Sequence, residues 1–94
     1  MEKKKQNTMQ ISLRTVSEVT QFVELNAEQD FEIDASSGRY VIDAKSIMGV
    51  FGMDLSRPIT IQLHTDNGLK VARYEQKLKE IITPVNIHKA AIGF

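Results

Sequence analysis

The sequence predicts an α+β fold, an open-faced β-sandwich in which a four-stranded antiparallel sheet carries three helices on one face. Three observations support this prediction. Four short segments alternate apolar and polar residues, which is the period of a half-buried strand. Three other segments place apolar residues at helical spacing, and the two kinds follow the order β-α-β-β-α-β-α. Because strands of this kind leave one face of the sheet wet, the helices must share the other face.

The first strand and the first helix have the clearest local signals. Residues 9–13 alternate apolar and polar side chains, which predicts a strand. Thr15 and Glu18 follow at the Thr-x-x-Glu spacing of a capping box, which predicts a helix start. This helix is expected to end near Glu28 or Gln29, and its apolar stripe consists of Val16, Val19, Phe22, Val23 and Ala27.

A hairpin and a short helix are predicted next. Residues 31–35 alternate, residues 36–38 are a turn signal, and residues 40–42 form the second strand of the hairpin. Residues 44–53 are apolar but contain two glycines, which favours a short helix capped by Ser46 over a central strand. Each interior glycine costs a helix roughly 1 kcal/mol relative to alanine, so packing is expected to hold this helix in place.

The last strand and the last helix complete the predicted domain. Residues 59–63 alternate, and residues 65–68 read as a turn that leads into a helix. The inner stripe of this helix is Val71, Tyr74, Leu78, Ile81 and Ile82, and Thr83–Pro84 is expected to stop it. The chain is thus divided into a flexible basic leader (1–8), one domain (9–83) and a tail (84–94) whose position is left open.

Composition excludes several classes of function. At 94 residues, 41% of them hydrophobic, the chain can build a single core. Its twelve basic and twelve acidic residues balance, which argues against a nucleic-acid-binding role. The absence of cysteine excludes disulfides and thiolate metal sites. No apolar stretch is long enough to span a membrane, and the lysines at 3–5 are not followed by a signal-peptide core. We therefore expect a cytoplasmic protein without membrane, metal or cofactor.

Residues 45–50, Lys-Ser-Ile-Met-Gly-Val, resemble the regulatory-serine motif of the HPr family. HPr is the histidine-containing phosphocarrier of the bacterial sugar phosphotransferase system. A weaker match places Gln21–Phe22–Val23 and Glu32–Ile33 as in some HPr sequences, so the resemblance covers roughly residues 15–63. It implies the same open-faced sandwich.

The same resemblance indicates that the phosphate-carrying histidine is missing. The family carries phosphate on a histidine in a Gly-x-His-x-Arg-Pro motif, where the amides at the start of the first helix and an arginine hold the phosphoryl group. Ungapped alignment places Thr15 at the histidine, Ser17 at the arginine and Glu18 at the proline. A threonine hydroxyl cannot form a phosphoramidate, Ser17 carries no positive charge, and Glu18 brings a competing carboxylate. Histidine phosphotransfer is therefore not expected.

The two histidines of the chain are not expected to replace the missing one. His64 is predicted at the end of a strand and His88 lies in the tail. A working phosphocarrier with a displaced acceptor nevertheless stays open as an alternative. So does a domain of the same fold that has no phosphotransferase role.

Ser46 is the remaining candidate control residue. In many Gram-positive HPr proteins a kinase phosphorylates this serine, and the modified surface then docks on a catabolite-control transcription factor. Some HPr-like paralogues lack the histidine and act only in regulation. The resemblance thus implies a regulatory phosphorylation site at Ser46 and a protein-docking surface made of Lys45, Ile47, Met48 and Phe51, with no enzymatic activity.

A purely structural interpretation of the same segment is also open. Ser46 is a good N-cap residue whatever its regulatory role. Helical spacing lets only part of the apolar set face the core, and we expect Val50 to be buried together with either Ile47 or Phe51. Some apolar surface is then left exposed.

The acidic residues around the hairpin are not expected to form a catalytic or metal site. They are Asp30, Glu32, Asp34 and Asp43. On alternating strands they fall on the solvated face, opposite Phe31, Ile33 and Ala35.

Overall fold

The computed structural model describes residues 7–82 and the strand residues 86–89. The elements follow the order β-α-β-β-α-β-α-β. They are β1 (Asn7–Ile11), α1 (Val16–Ala27), β2 (Ile33–Ser37), β3 (Tyr40–Asp43), α2 (Ile47–Phe51), β4 (Ile59–Leu63), α3 (Gly68–Ile81) and β5 (Asn86–Lys89). The strands form one antiparallel sheet in the order β3-β2-β4-β1-β5. The predicted α+β open-faced sandwich is confirmed, and the structure adds one strand to it.

The core lies between one face of the sheet and the helices. Burial alternates along β1, β2 and β4, as their sequences predict. The inward side chains of these strands are Met9, Ile11, Ile33, Ala35, Ile59, Ile61 and Leu63. They pack against Val19, Phe22 and Val23 of α1 and Val71, Tyr74 and Leu78 of α3. The other face of the sheet carries polar residues, among them Thr8, Gln10, Thr60 and Gln62.

The fifth strand lies in the segment that sequence patterning left unplaced. β5 pairs antiparallel with β1, with Met9 opposite Ile87 and Thr8 opposite His88. Its four residues have too short a pattern to predict a strand, and only the edge of β1 selects this conformation. β1 itself begins at Asn7 and takes in two residues that the sequence assigns to the leader. Residues 1–6 of the predicted leader, residues 84–85 and 90–94 of the predicted tail, and Thr83 at the end of the predicted domain lie outside the described residues.

The start of α1 is capped as the sequence predicts, but the buried face of the helix differs from the predicted apolar stripe. Thr15 Oγ1 accepts the Glu18 N–H at 3.0 Å, whereas the Glu18 carboxylate accepts the N–H of Arg14 instead of that of Thr15. Val16 and Ala27 are exposed, in contrast to the prediction, and Leu25 and Asn26 are buried. This difference arises because α1 packs against both α2 and α3.

A tight turn joins β2 to β3. Ser37 pairs with Tyr40, so Gly38 and Arg39 alone form the connection. Gly38 has a φ of 62° and no other described residue has a positive φ, which is typical of a type II′ turn. Glycine takes this conformation without steric cost.

Candidate functional site

Ser46 caps α2 and remains accessible to solvent. Its Oγ accepts the N–H of Gly49 at 3.1 Å, and its backbone is extended, as at a helix N-cap. The side chain is exposed. The predicted cap is confirmed, and the residue that forms it is exposed to solvent.

The loop that leads to Ser46 is fixed by backbone hydrogen bonds. Ala44 is fully buried, and its N–H donates to the carbonyl of Ile33 at 2.9 Å. The carbonyl of Asp43 accepts the Ser46 N–H at 3.0 Å, and Asp43 Oδ1 accepts the Lys45 N–H at 2.9 Å. Ser46 is therefore presented in a defined position at the end of the hairpin.

A buried polar network holds the same loop from the helix side. Asn26 of α1 is fully buried, and its Nδ2 donates to the carbonyl of Ala44 at 2.9 Å. Tyr74 of α3 donates its hydroxyl to Asn26 Oδ1 at 2.6 Å, and burial raises the pKa of Tyr74. The sequence interpretation missed Asn26. The sequence did contain a signal, because Asn26 directly precedes Ala27, the expected last residue of the apolar stripe of α1.

Lys45 contacts the end of α1. Its Nζ donates to the carbonyl of Gln29 at 3.0 Å, and Gln29 Nε2 donates to the carbonyl of Leu25 at 3.0 Å. The ammonium therefore occupies the carbonyl end of α1, where a positive charge is favourable. This contact joins the Ser46 loop to α1 at a second point.

The apolar side chains of α2 divide into one anchor and three exposed residues. Val50 is fully buried. Met48 is 78% exposed, Phe51 43% and Ile47 36%. The prediction that Ile47 or Phe51 joins Val50 in the core is wrong, because α2 turns Val50 inward and Gly49 toward Ile42 of β3, which leaves Ile47 and Phe51 exposed.

Gly49 lets α2 lie close to β3. A Cβ at Gly49 would lie 3.5 Å from Cδ1 of Ile42 on β3 and 3.3 Å from Oγ of Ser46. The glycine that weakens the helix locally therefore allows it to pack on the edge strand. It also leaves room for the Ser46 cap.

The polar side chains at the start of α1 serve local hydrogen bonds. The three residues aligned with the phosphocarrier motif all form local hydrogen bonds. Thr15 accepts the Glu18 N–H, Glu18 accepts the Arg14 N–H, and Ser17 Oγ accepts from Nε2 of Gln21 at 2.9 Å. None of these side chains provides an imidazole or a positive charge.

His64 lies far from the start of α1. Its Nε2 is 2.7 Å from Asp34 Oδ2, in a contact between half-exposed side chains on the polar face of the sheet. β4 runs from Ile59, which pairs with the last residue of β1, to the residue before His64. At about 3.4 Å per residue His64 is about 17 Å along the sheet from that end. The side chain of His88 lies outside the described residues.

The acidic residues are dispersed and do not converge on one point. Asp30 contacts Lys70 of α3 at 2.7 Å, and the hydrogen bond from Lys70 lowers the pKa of Asp30. Asp34 is paired with His64, and Asp43 with the backbone of the Ser46 loop. The buried side chains between them are Phe31, Ile33 and Ala35, as the alternation predicts. Within residues 7–82 and 86–89 no group of three acidic or histidine side chains could hold a metal ion.

Searches for relatives found none. No family model, no curated protein and no solved structure matches this chain. In the part of the chain that the structure describes, no helix is long and apolar enough to cross a membrane.

Proposed function

We propose that this protein is an HPr-like regulatory and interaction protein related to the phosphoenolpyruvate-dependent sugar phosphotransferase system. It acts in the cytoplasm, binds other proteins through α2, and is not an enzyme or a carrier of phosphohistidine. One observation carries the proposal: α2 exposes three large apolar side chains immediately after an accessible serine that resembles a regulatory phosphorylation site.

The exposed side of α2 has the properties of a docking surface. We call the residues Lys45, Ile47, Met48 and Phe51 the α2 surface. Apolar side chains that are exposed next to one another favour binding, because their transfer from water to a partner's surface lowers the free energy. The backbone beneath them is held by the Asn26 and Lys45 contacts, so little conformational entropy is lost on binding.

Phosphorylation of Ser46 is the proposed control. A phosphate at this position adds up to two negative charges beside Ile47 and Met48 and changes the set of partners that can dock. By resemblance, the modifying enzyme is an HPr serine kinase, and the protein that recognises the phosphorylated surface is a catabolite-control transcription factor. Both would contact the α2 surface.

Binding measurements on surface variants test the docking role. The chain is immobilised and titrated with an HPr serine kinase or a catabolite-control transcription factor, using biolayer interferometry. Met48→Lys is expected to weaken binding at least about tenfold, because it places a charge at the most exposed apolar position of α2. Leu69→Lys is the matched control, since Leu69 is 69% exposed but lies on α3. Equal effects of both variants, or of neither, would contradict docking through α2.

A working phosphocarrier with a displaced acceptor is the second candidate. His64 is the only described histidine side chain, and its Nε2 is occupied by Asp34. Incubation with the first enzyme of the system and phosphoenolpyruvate, followed by intact-mass measurement, is expected to show no added phosphoryl group. An acid-labile adduct would establish the relay instead.

The third candidate is a same-fold domain with no phosphotransferase role. In that case Ser46 serves only as the cap of α2. Ser46→Ala would then lower stability while kinase and transcription factor binding, if any, stayed unchanged.

A further inference from the structure

The outer strand of the sheet, β3, is the most exposed of the strands β1 to β4. The other three contain buried residues at alternate positions, whereas in β3 only Ile42 is half-buried. Tyr40 is 56% exposed and Val41 60%, and they point to opposite faces of the strand. β3 also contains no lysine or proline, the residues that commonly protect an edge strand from pairing. This edge is therefore open to a further strand.

The pairing of β3 with β2 decides which of its main-chain groups face inward. The N–H of Ala44 donates to the carbonyl of Ile33 at 2.9 Å. In an antiparallel ladder such bonds recur at every second residue, so Ile42 and Tyr40 also direct their N–H and carbonyl groups toward β2.

Arg39, Val41 and Asp43 direct main-chain groups away from β2. A trans peptide points its carbonyl away from its N–H, and the described residues contain no cis peptide. The carbonyls of Arg39 and Val41 and the N–H groups of Val41 and Asp43 therefore point outward, without a partner in the described part of the chain. The carbonyl of Asp43 also points outward, but it accepts the Ser46 N–H. The open groups are thus equal numbers of donors and acceptors.

This set of open groups is complementary to itself. When two β3 strands pair antiparallel about a two-fold axis at Val41, each residue faces the one equally far from Val41 in the second copy. The N–H of Val41 then donates to the Val41 carbonyl of the second copy, and the N–H of Asp43 donates to the carbonyl of Arg39. The pairing satisfies every open group. The outward carbonyl of Asp43 needs no new bond, because Ser46 already occupies it.

The side chains follow the same symmetry. Arg39 faces Asp43 of the second copy on both sides of the axis, so pairing brings opposite charges together. Within one chain Asp43 lies opposite Asp34 of β2, where like charges repel, and the arginine of the second copy offsets this repulsion. On the other face of the strand Tyr40 faces Ile42 of the second copy, which removes part of the exposed tyrosine ring from water.

The register keeps the two α2 helices on opposite sides of the axis. α2 lies on Ile42 of β3, because a Cβ at Gly49 would be 3.5 Å from Cδ1 of Ile42. Ile42 is the residue after Val41, so its two copies lie on either side of the axis along the strands. The pairing therefore does not place one α2 helix directly opposite the other.

We propose that this protein forms a symmetric dimer in which the β3 strands of two copies pair antiparallel, centred on Val41. The two five-stranded sheets then join into one, with both helical layers on the same face. The dimer is weak, because one edge strand provides a small interface. The inference goes beyond the proposed function and does not depend on it.

Diffusion and hydrogen exchange of the full chain test the dimer. Pulsed-field-gradient NMR is recorded over a concentration series up to about 1 mM, since small interfaces bind weakly. The diffusion coefficient is expected to fall as the concentration rises. In the same samples the amides of Val41 and Asp43 are expected to gain protection from exchange, because their N–H groups become bonded.

Two charge variants disrupt separate parts of the contact. Val41→Lys places two lysines directly opposite each other at the axis and is expected to weaken the dimer at least about tenfold. Its matched control is Val16→Lys, since Val16 is 68% exposed but lies on α1. Arg39→Glu replaces both ion pairs by like charges and is also expected to weaken the dimer about tenfold. Its control is Arg73→Glu at an exposed position of α3, which changes the net charge equally.

An introduced thiol tests the register. The chain has no cysteine, so Val41→Cys carries a single thiol. In the proposed pairing the two thiols belong to directly opposite residues, whose Cα atoms are about 5.5 Å apart and so within the range of a disulfide. Mild oxidation is expected to link Val41→Cys into a dimer several-fold faster than the control Val16→Cys.

Four results would overturn the inference. They are a diffusion coefficient independent of concentration, a dimer that neither Val41→Lys nor Arg39→Glu weakens, added protection confined to α2 or β5, and cross-linking of Val41→Cys no faster than that of Val16→Cys. These experiments use neither the kinase nor the transcription factor. Their failure therefore leaves docking through α2 intact, and a lack of effect of Met48→Lys on those proteins leaves the dimer intact.

Discussion

Tyr74 on α3 donates its buried hydroxyl to the side-chain oxygen of Asn26 on α1 over 2.6 Å. Asn26 in turn donates to the carbonyl of Ala44, two residues before Ser46. Buried polar groups are costly unless every one has a partner. In the described part of the chain no buried side-chain nitrogen or oxygen lacks one. The core therefore couples two helices to the loop that presents Ser46.

Asn26→Leu tests the network directly. Leucine is similar in size but leaves the Tyr74 hydroxyl and the Ala44 carbonyl buried without partners. The free energy of unfolding, measured by urea denaturation, is expected to fall by about 2–4 kcal/mol. Gln76→Leu, at an exposed position of α3, is the control and should change it by less than about 0.5 kcal/mol.

The double variant Asn26→Leu/Tyr74→Phe checks that the effect arises from lost pairing. Phenylalanine removes the hydroxyl that leucine leaves unsatisfied, so the combined loss should be smaller than the sum of the single losses. Strictly additive losses would mean that the two side chains are not coupled.

Val50→Ala tests which residue anchors α2. Val50 is fully buried and its neighbour Met48 is largely exposed. Thermal or urea unfolding should show a loss of about 2 kcal/mol for Val50→Ala. Met48→Ala is the matched control, with an expected change of less than about 0.5 kcal/mol. A larger loss for Met48 would place that side chain in the core and remove it from the docking surface.

Ser46→Ala measures the structural role of the serine. Loss of the bond to the Gly49 N–H is expected to lower stability by about 1 kcal/mol, whereas Ser46→Asp keeps a capping oxygen and should lose less. Chemical denaturation of the three proteins provides the comparison. If alanine and aspartate destabilise equally, Ser46 does not act through the cap.

Lys70→Met is expected to raise the pKa of Asp30 toward its ordinary value of 3.8, because the hydrogen bond from Lys70 holds it lower. A carboxylate with a depressed pKa favours the folded state at neutral pH, and this contribution is lost as the pH falls below 3.8 through the folded-state value. NMR titration of the Asp30 carboxyl in the wild type, Lys70→Met and the control Lys77→Met checks the shift. An unchanged titration in Lys70→Met would contradict the contact.

Local signals predicted most of the fold. The alternation of residues 59–63, the Thr15 cap and the Ser46 cap depend on neighbours in sequence, and the structure confirms each of them. β5 was not predictable because a strand of four residues is specified by the edge it joins.

The missed features of the site are contacts between residues distant in sequence. Asn26 and Tyr74 are 48 residues apart, and Asp34 and His64 are 30 apart. The periodicity of apolar residues along the chain does not indicate which distant side chains will pair. The interpretation of α2 failed for a related reason, because the contact of Gly49 with Ile42 of β3, which leaves Ile47 and Phe51 exposed, joins two different elements.

Phosphorylation by an HPr serine kinase is the most direct test of the central claim, that Ser46 is the control residue of a non-relaying HPr-like protein. The chain is incubated with the kinase and ATP, and the modified residue is mapped by mass spectrometry, with Ser46→Ala as the control. The account predicts a single phosphoryl group on Ser46 and none in the variant. No modification, or modification at another residue that persists in Ser46→Ala, would contradict it.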